Sequence, residues 1–313
     1  AVPSGTSLSI GTSAPSGVRF NFSAAEILAA PTVAAASVPD VGGARVSLQE
    51  AAVKQAEASD DDPEKGDPEK GDPEKGVRER TGFSEEISLT HVATGQEGDV
   101  CAPGGLAALS GRNLMRGAMA RASQVPLPRE LGGVRVLVNG QAAPLLAVSE
   151  SQVNFQCPVL PAGTKLEIEL AAADGLVHRV RSVMQEAAPV IFDENGNGQA
   201  LLQVQPEDHL TIYATGLGAA IERIEPGEAA PSDRLFSLRH AVRVWIDGIP
   251  VDPAFAGLAP GTVGVYQINF ALPSGWAGGE EVPVILESRL GDGRSAFSNV
   301  VKIQLTRGQT EAR

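Results

Sequence analysis

The sequence predicts an all-β protein made of two tandem β-sandwiches, preceded by an extended N-terminal arm, a short helix and a charged spacer. The first observation behind this is a duplication. VRVLVNG at 134–140 recurs as VRVWIDG at 242–248, and QVNFQCP at 152–158 recurs as QINFALP at 267–273. Matching openings (ALSGRNL at 108–114, YATGLG at 213–218) and closing runs (LEIEL at 166–170, VPVIL at 282–286) keep the same order, at an offset close to 108 residues. The second is period: apolar residues alternate in short runs bounded by turn dipeptides, and no helical period appears in the duplicated part. The third is composition, with 35 glycines and 22 prolines but only 4% aromatic residues in 313. That balance suits many short strands joined by tight turns, and the length suits about two domains.

Residues 1–44 form the arm. TSLSIGT at 6–12 places Leu8 and Ile10 on one face, and VRFNFS at 18–23 does the same for Val18, Phe20 and Phe22. Residues 45–80 follow as helix and spacer. VSLQEAAVKQAEA at 46–58 begins with a capping box, Ser47 and Glu50, and is rich in helix formers. DPEKG then occurs three times over 62–76, each unit with a turn-prone Asp-Pro and Gly and a net charge of −1. This reads as a solvated spacer with a reach of at most about 50 Å; a repetitive surface ornament is the alternative.

The first module is expected over 81–188, opening with EISLTHV at 86–92, and the second over 189–313. In each, VRV(L/W)(V/I)(N/D)G is a strand running into a turn and Q(V/I)NF a strand ending at proline. The second copy is longer between them (PVDPAFAGLAPGTVG), which reads as a surface loop. Strands at this spacing indicate a β-sandwich.

These residues also carry a resemblance. SGRNL, VNGQAAPLLAVSESQVNFQCP and the closing strand resemble the IPT/TIG type of immunoglobulin-like domain. YATGLG, FAGLAPGTVGVYQINFALP and SNVVKIQL resemble an uncharacterised tandem C-terminal domain family of secreted acidobacterial proteins. The resemblance covers roughly residues 100–306. It implies two immunoglobulin-like β-sandwiches and secretion, and it implies no activity.

The formal charge of −13 argues against nucleic-acid binding. No apolar run reaches the length of a membrane span, so no membrane insertion is expected. The start AVPSGTS reads as the end left by a signal peptidase, which would place the protein outside the cell or on its surface; an arbitrary cut in the chain is the alternative. Cys101 and Cys157 are the two cysteines. A disulfide between them would close a loop of about 57 residues, worth about 4 kcal/mol, in an oxidising compartment. Two buried free thiols are the alternative. Leu272 stands where the second copy would carry Cys157.

Catalytic patterns are missing: there is no nucleophile elbow, P-loop or dinucleotide fingerprint, and GLGAAI at 216–221 lacks the third glycine. His91, His178, His209 and His240 are scattered. Asp247, Asp252, Glu280 and Glu281 read as solvated turn carboxylates. The protein is therefore read as no enzyme, and no cofactor is expected. Calcium has one weak candidate in DENGNG, where Asp193, Asn195 and Asn197 match the start of a calcium loop; the twelfth position is Val204 where a glutamate is needed. The competing reading is a tight Asn-Gly turn.

Two functions follow. The first is a secreted structural subunit of an extracellular filament or bacterial surface assembly, a homopolymer whose partners are copies of itself. Its N-terminal strand (Val18, Phe20 and Phe22, with Leu8 and Ile10) would be donated to a neighbour's sheet edge, since an isolated hairpin is marginal in water and head-to-tail donation does not close. The alternative is a monomeric cell-surface binding module with carbohydrate as candidate ligand. Its stacking platforms would be Trp245, Trp276, Tyr213 and Tyr266, of which Trp245 and Tyr266 sit in strand patterns that suggest core.

Overall fold

The computed structural model describes residues 87–173, 175–193, 200, 202–205, 209–273 and 281–304. The arm, the helix at 46–58 and the DPEKG spacer lie outside them, as do Leu8, Ile10, Val18, Phe20 and Phe22.

The first module contributes nine strands: β1 Ser88–His91, β2 Leu106–Ser110, β3 Ala120–Arg121, β4 Val134–Val138, β5 Gln141–Ala142, β6 Leu145–Val148, β7 Gln152–Gln156, β8 Lys165–Ala172 and β9 Val177–Val183. They form two antiparallel sheets, ordered β1-β2-β7-β6-β3 and β5-β4-β8-β9. The chain changes sheet between β2 and β4, between β5 and β6, and between β7 and β8. That is the immunoglobulin order, strands A, B, E and D in one sheet and C, F and G in the other. The strand pattern of the sequence dictates the packing. Val136 and Val138 alternate with exposed Arg135, and Leu166, Ile168 and Leu170 alternate with Glu167 and Glu169. The inward set meets Leu109, Val153 and Phe155 of the facing sheet in one core.

The second module repeats this with β10 Val190–Ile191, β11 Leu202–Gln205, β12 His209–Thr215, β13 Val242–Ile246, β14 Ile249–Val251, β15 Phe255–Leu258, β16 Tyr266–Ala271, β17 Glu281–Arg289, β18 Ser295–Phe297 and β19 Val301–Gln304. The sheets are β10-β12-β16-β15, with β11 also on β12, and β14-β13-β17-β18, with β19 also on β17. Its core joins Ile212, Ile268 and Phe270 to Val244, Ile246 and Leu286. The described residues contain no helix.

Sheet register turns the sequence repeat into a structural one. Val136 lies opposite Leu170 and Val244 opposite Leu286. Leu109 lies opposite Val153 and Ile212 opposite Ile268. Because Val153 and Ile268 correspond, Leu109 corresponds to Ile212. The Ser110-Gly111 and Thr215-Gly216 steps, which look alike in sequence, are therefore two residues out of register. A two-residue slip keeps every side chain on its face, so the pattern by itself is blind to it.

The two turn dipeptides do what their residues favour. Asn139 and Gly140 have φ of 50° and 78°, and Asp247 and Gly248 have 48° and 75°. Each pair closes a two-residue hairpin, Val138 to Gln141 and Ile246 to Ile249, with the positive φ values of a type I′ turn.

One expectation is corrected. The longer segment of the second copy is not a surface loop. Ala259, Val263 and Val265 are buried with Val92, Leu106, Leu127 and Leu146 of the first module, and with Phe192, in a third apolar cluster. Removing these aliphatic side chains from water outweighs the usual surface placement of a connection.

Candidate functional site

Three places merit a site description: the joint between the modules, the free edge of the first, and the outer face of the second.

At the joint, polar groups surround the apolar cluster. The Leu106 N–H donates to Thr215 Oγ1 (2.8 Å), whose hydroxyl donates to the Gly264 carbonyl (2.6 Å). Gln156 reaches both modules: its Nε2 donates to the Gly104 carbonyl at 3.0 Å and its Oε1 accepts the Gly227 N–H at 2.7 Å. Tyr266 is in the core as its pattern suggests, and its hydroxyl donates to the Gly218 carbonyl at 2.7 Å. Burial drives its phenol far above the ordinary range, so it is no acid or base near neutrality. Gly216 (φ 75°) is obligatory, since a Cβ there would overlap the Ala188 carbonyl oxygen. A crevice of about 250 Å³ opens beside the joint, lined by Gln156, Val159, Ile221, Arg223, Arg239 and Tyr266 among others. Its lining contains no histidine, cysteine or serine.

Cys101 and Cys157 are bonded, with Cα atoms 5.6 Å apart and both residues fully buried. The pair lies in the first core, and Leu272, the counterpart of Cys157, packs on the second. Asp193 forms an isolated antiparallel bridge with Ala200, while Asn195 and Asn197 lie outside the described residues. Among the described residues no group of three His, Cys, Asp or Glu is placed to hold a metal ion, and no helix is long and apolar enough to cross a membrane. Of the surface carboxylates, Asp252 pairs with Arg243 at 3.0 Å and Glu281 with Lys302 at 2.5 Å. His240 Nε2 lies 3.2 Å from Glu186 Oε1.

Several sheet edges are covered among the described residues. His91 N–H and the Leu89 carbonyl of β1 pair with Gln96 and Gly98, β15 pairs with Phe236 and Leu238, and the Lys302 carbonyl of β19 accepts from Ala200. The edge of β14 carries Pro250, which cannot donate. β9 differs. The bonds Met184 N–H to Thr164 and Ala172 N–H to Leu176, with the register Ile168 opposite Val180, set which groups face β8. Those of Val177, Arg179 and Arg181 point away from it. Asp99 takes the next outward N–H, that of Val183, at 3.0 Å, and Gln185 Nε2 donates to the Val183 carbonyl at 3.0 Å. The remaining run of β9 is the longest open edge among the described residues.

The outer face of the β14-β13-β17-β18 sheet corrects the reading of Trp245 as core. Val244 and Ile246 point inward, so Trp245 between them points out and is half-buried. Ile285 lies opposite it, and Glu287 lies opposite both Arg243 and Phe297. Trp245 Nε1 donates to Glu287 Oε2 (2.8 Å) and Ser295 Oγ to Glu287 Oε1 (2.7 Å). The Ser295 bond first, then the Trp245 bond and the Arg289 and Arg243 charges, hold this carboxyl below its usual range against the opposing effect of burial. Phe297 is on the same face and is 58% exposed. Tyr213 is half-buried at the joint cluster, and Trp276 lies outside the described residues. Sequence reasoning passed over Glu287 and Phe297; the only available signal was the period-2 count that places them with Trp245.

No family model matches the chain, and no curated protein matches it by sequence. Among solved structures it is similar to SGBP-B of a Bacteroides ovatus mixed-linkage glucan utilization locus, determined in complex with a mixed-linkage heptasaccharide. That likeness has 15% identity and TM-score 0.31, and covers 66% of this chain and 44% of that one. A DUF3823 family protein from Bacteroides ovatus matches at 10% identity and TM-score 0.24, over 70% of this chain and 99% of that one. The N-terminal Ig1-2 module of the Drosophila receptor protein tyrosine phosphatase DLAR matches at 12% identity and TM-score 0.21, over 71% and 98%. The chain spans less than half the length of the first of these. The immunoglobulin-like assignment rests on the strand order itself.

Proposed function

We propose that the protein is a structural subunit of an extracellular or surface assembly, and that it polymerises by accepting a neighbour's N-terminal strand along β9. One observation carries the reading: among the described residues nothing pairs with the outward backbone groups of Val177, Arg179 and Arg181 of β9, whereas several other edges are covered. The donor is the Val18–Phe22 run, with Val18, Phe20 and Phe22 turned toward the sandwich and Arg19 and Asn21 outward. The joint supports a load-transmitting role, because the two modules share a buried apolar cluster. The disulfide supports an oxidising compartment, in keeping with the resemblance to secreted IPT/TIG-type tandem domains.

The test is electron microscopy with light scattering of three proteins: the full chain, the chain without residues 1–23, and Arg179→Pro. The Arg179 N–H points away from β8, so proline there removes a donor for an incoming strand and no intramolecular ladder bond. Filaments of the full chain, lost in both variants while circular dichroism stays unchanged, support strand donation. A monodisperse full chain, or an Arg179→Pro protein that polymerises like the parent, overturns it.

A second reading, a surface-binding module, is favoured by the outer aromatic face of the second sandwich.

A further inference from the structure

The outer face of the second module's β14-β13-β17-β18 sheet carries an apolar diagonal that the first module's counterpart lacks. Trp245 and Ile285 lie side by side, and Phe297 extends the surface beyond them. The first module shows what this face looks like when it is merely solvated. Leu137 stands for Trp245 there, Glu169 for Ile285 and Ala171 for Glu287, and Glu169 is paired with Arg179 at 2.9 Å. The two copies have the same strand order and comparable cores. The strand order therefore does not require the aromatic face of the second, and exposed apolar surface with a polar rim is the mark of a binding site.

We infer that this face is a platform for an extended neutral polysaccharide; the inference rests on the surface-binding reading and is independent of strand donation. Three features point to that ligand chemistry. The first is shape: Trp245, Ile285 and Phe297 lie across three neighbouring strands on one sheet face, which suits a ribbon-like polymer lying across it. The second is spacing. Trp245 and Phe297 are two strands and two residues apart, which puts them about 12 Å from one another along a diagonal, the scale of two sugar rings. Aromatic faces at that interval can each take the C–H face of a pyranose, while Ile285 fills the space between. The third is charge. The rim carries Arg243 with Asp252, Lys302 with Glu281, and Arg289 with Glu287. Three cations face three anions, so the rim selects no ligand charge, but it offers planar donors and acceptors to sugar hydroxyls. The Trp245 ring is already held by its bond to Glu287, so binding need not order it, which favours affinity.

Affinity electrophoresis of the full-length chain in gels containing hydroxyethyl cellulose, galactomannan or polygalacturonate tests the inference. The expected result is retardation by at least one neutral polymer and none by polygalacturonate. Phe297→Ser removes an exposed ring that supports no core, and it should weaken that retardation at least tenfold with an unchanged melting temperature. Trp245→Ala should abolish it. Three results overturn the inference: no retardation by either neutral polymer, retardation by polygalacturonate alone, or a Phe297→Ser protein that binds like the parent. Should Phe297→Ser alter the oligomeric state and leave retardation untouched, the face is a protein contact and the inference is wrong. Filament formation by the same samples is scored separately, so failure of the platform leaves strand donation standing, and the reverse.

Discussion

The side-chain amide of Asn299 takes the place of a missing strand beside Ile191. Its Oδ1 accepts the Ile191 N–H at 2.7 Å and its Nδ2 donates to the Ile191 carbonyl at 3.2 Å. Asn299 sits in the interruption between β18 and β19, 108 residues along the chain from the strand it caps. An edge that would otherwise present a free donor and acceptor is thereby closed, and the first and last strands of the second sandwich are tied together. β9 of the first module has no such clamp along Val177, Arg179 and Arg181.

Replacing Asn299 with alanine should leave both Ile191 backbone groups without partners. Each unsatisfied group costs about 1–3 kcal/mol when water cannot reach it. The Asn299→Ala protein should therefore show a lower urea midpoint with an unchanged slope. Asn299→Asp keeps the acceptor and loses the donor, so it should fall between alanine and the parent.

Cys101 and Cys157 close a 56-residue loop inside the first core. Reduction, or the double Cys→Ala replacement, should destabilise the protein by about 2–4 kcal/mol. The check is a denaturant titration with and without dithiothreitol, alongside free-thiol counting on the unreduced protein, which should read zero.

Gly216 has φ 75° and no room for a Cβ. Gly216→Ala should cost more than about 1 kcal/mol, because it adds a backbone overlap to the strain of alanine at positive φ. The damage should concentrate at the joint. Faster hydrogen exchange at Leu106, Gly227 and their neighbours, with slow exchange kept at Val136 and Val244, is the expected signature.

Glu287 supplies a pH dependence with a definite sign. Its carboxyl is held below the ordinary value of 4.5, chiefly by the Ser295 hydroxyl. A depressed folded-state value means the ionised form stabilises the fold. That contribution is complete above the ordinary carboxylate range and is lost as pH falls through the folded-state value. Glu287→Gln should therefore be less stable than the parent at pH 7, and the gap should narrow toward pH 3. Equal gaps at both pH values would reject the assigned network.

The period-2 alternation, the Asn-Gly and Asp-Gly turns and the two copies of one strand set were enough to determine an all-β tandem sandwich. They are local, and local backbone preference is what a sequence displays most openly. A β-sandwich follows because alternating strands have one face to bury and no helix to bury it against. The bond between Cys101 and Cys157 was readable only as one of two options, since a cysteine buries equally well as a thiol.

What the sequence could not decide depends on residues far apart. Trp245 alternates with inward Val244 and Ile246, but only sheet register shows that Ile285, Glu287 and Phe297 share its face. The segment from 259 to 265 looks like a loop until Val92, Leu106 and Leu127 of the other module come to meet it. Which edges are closed is set by Asn299, Asp99 and Ala200, each reaching a strand that its own neighbourhood does not name. The register of Leu109 with Ile212 belongs here too, because a slip of two residues leaves every face unchanged. Tertiary structure decided these points: coverage of an edge or a face depends on what arrives from elsewhere in the chain, and no local period encodes that.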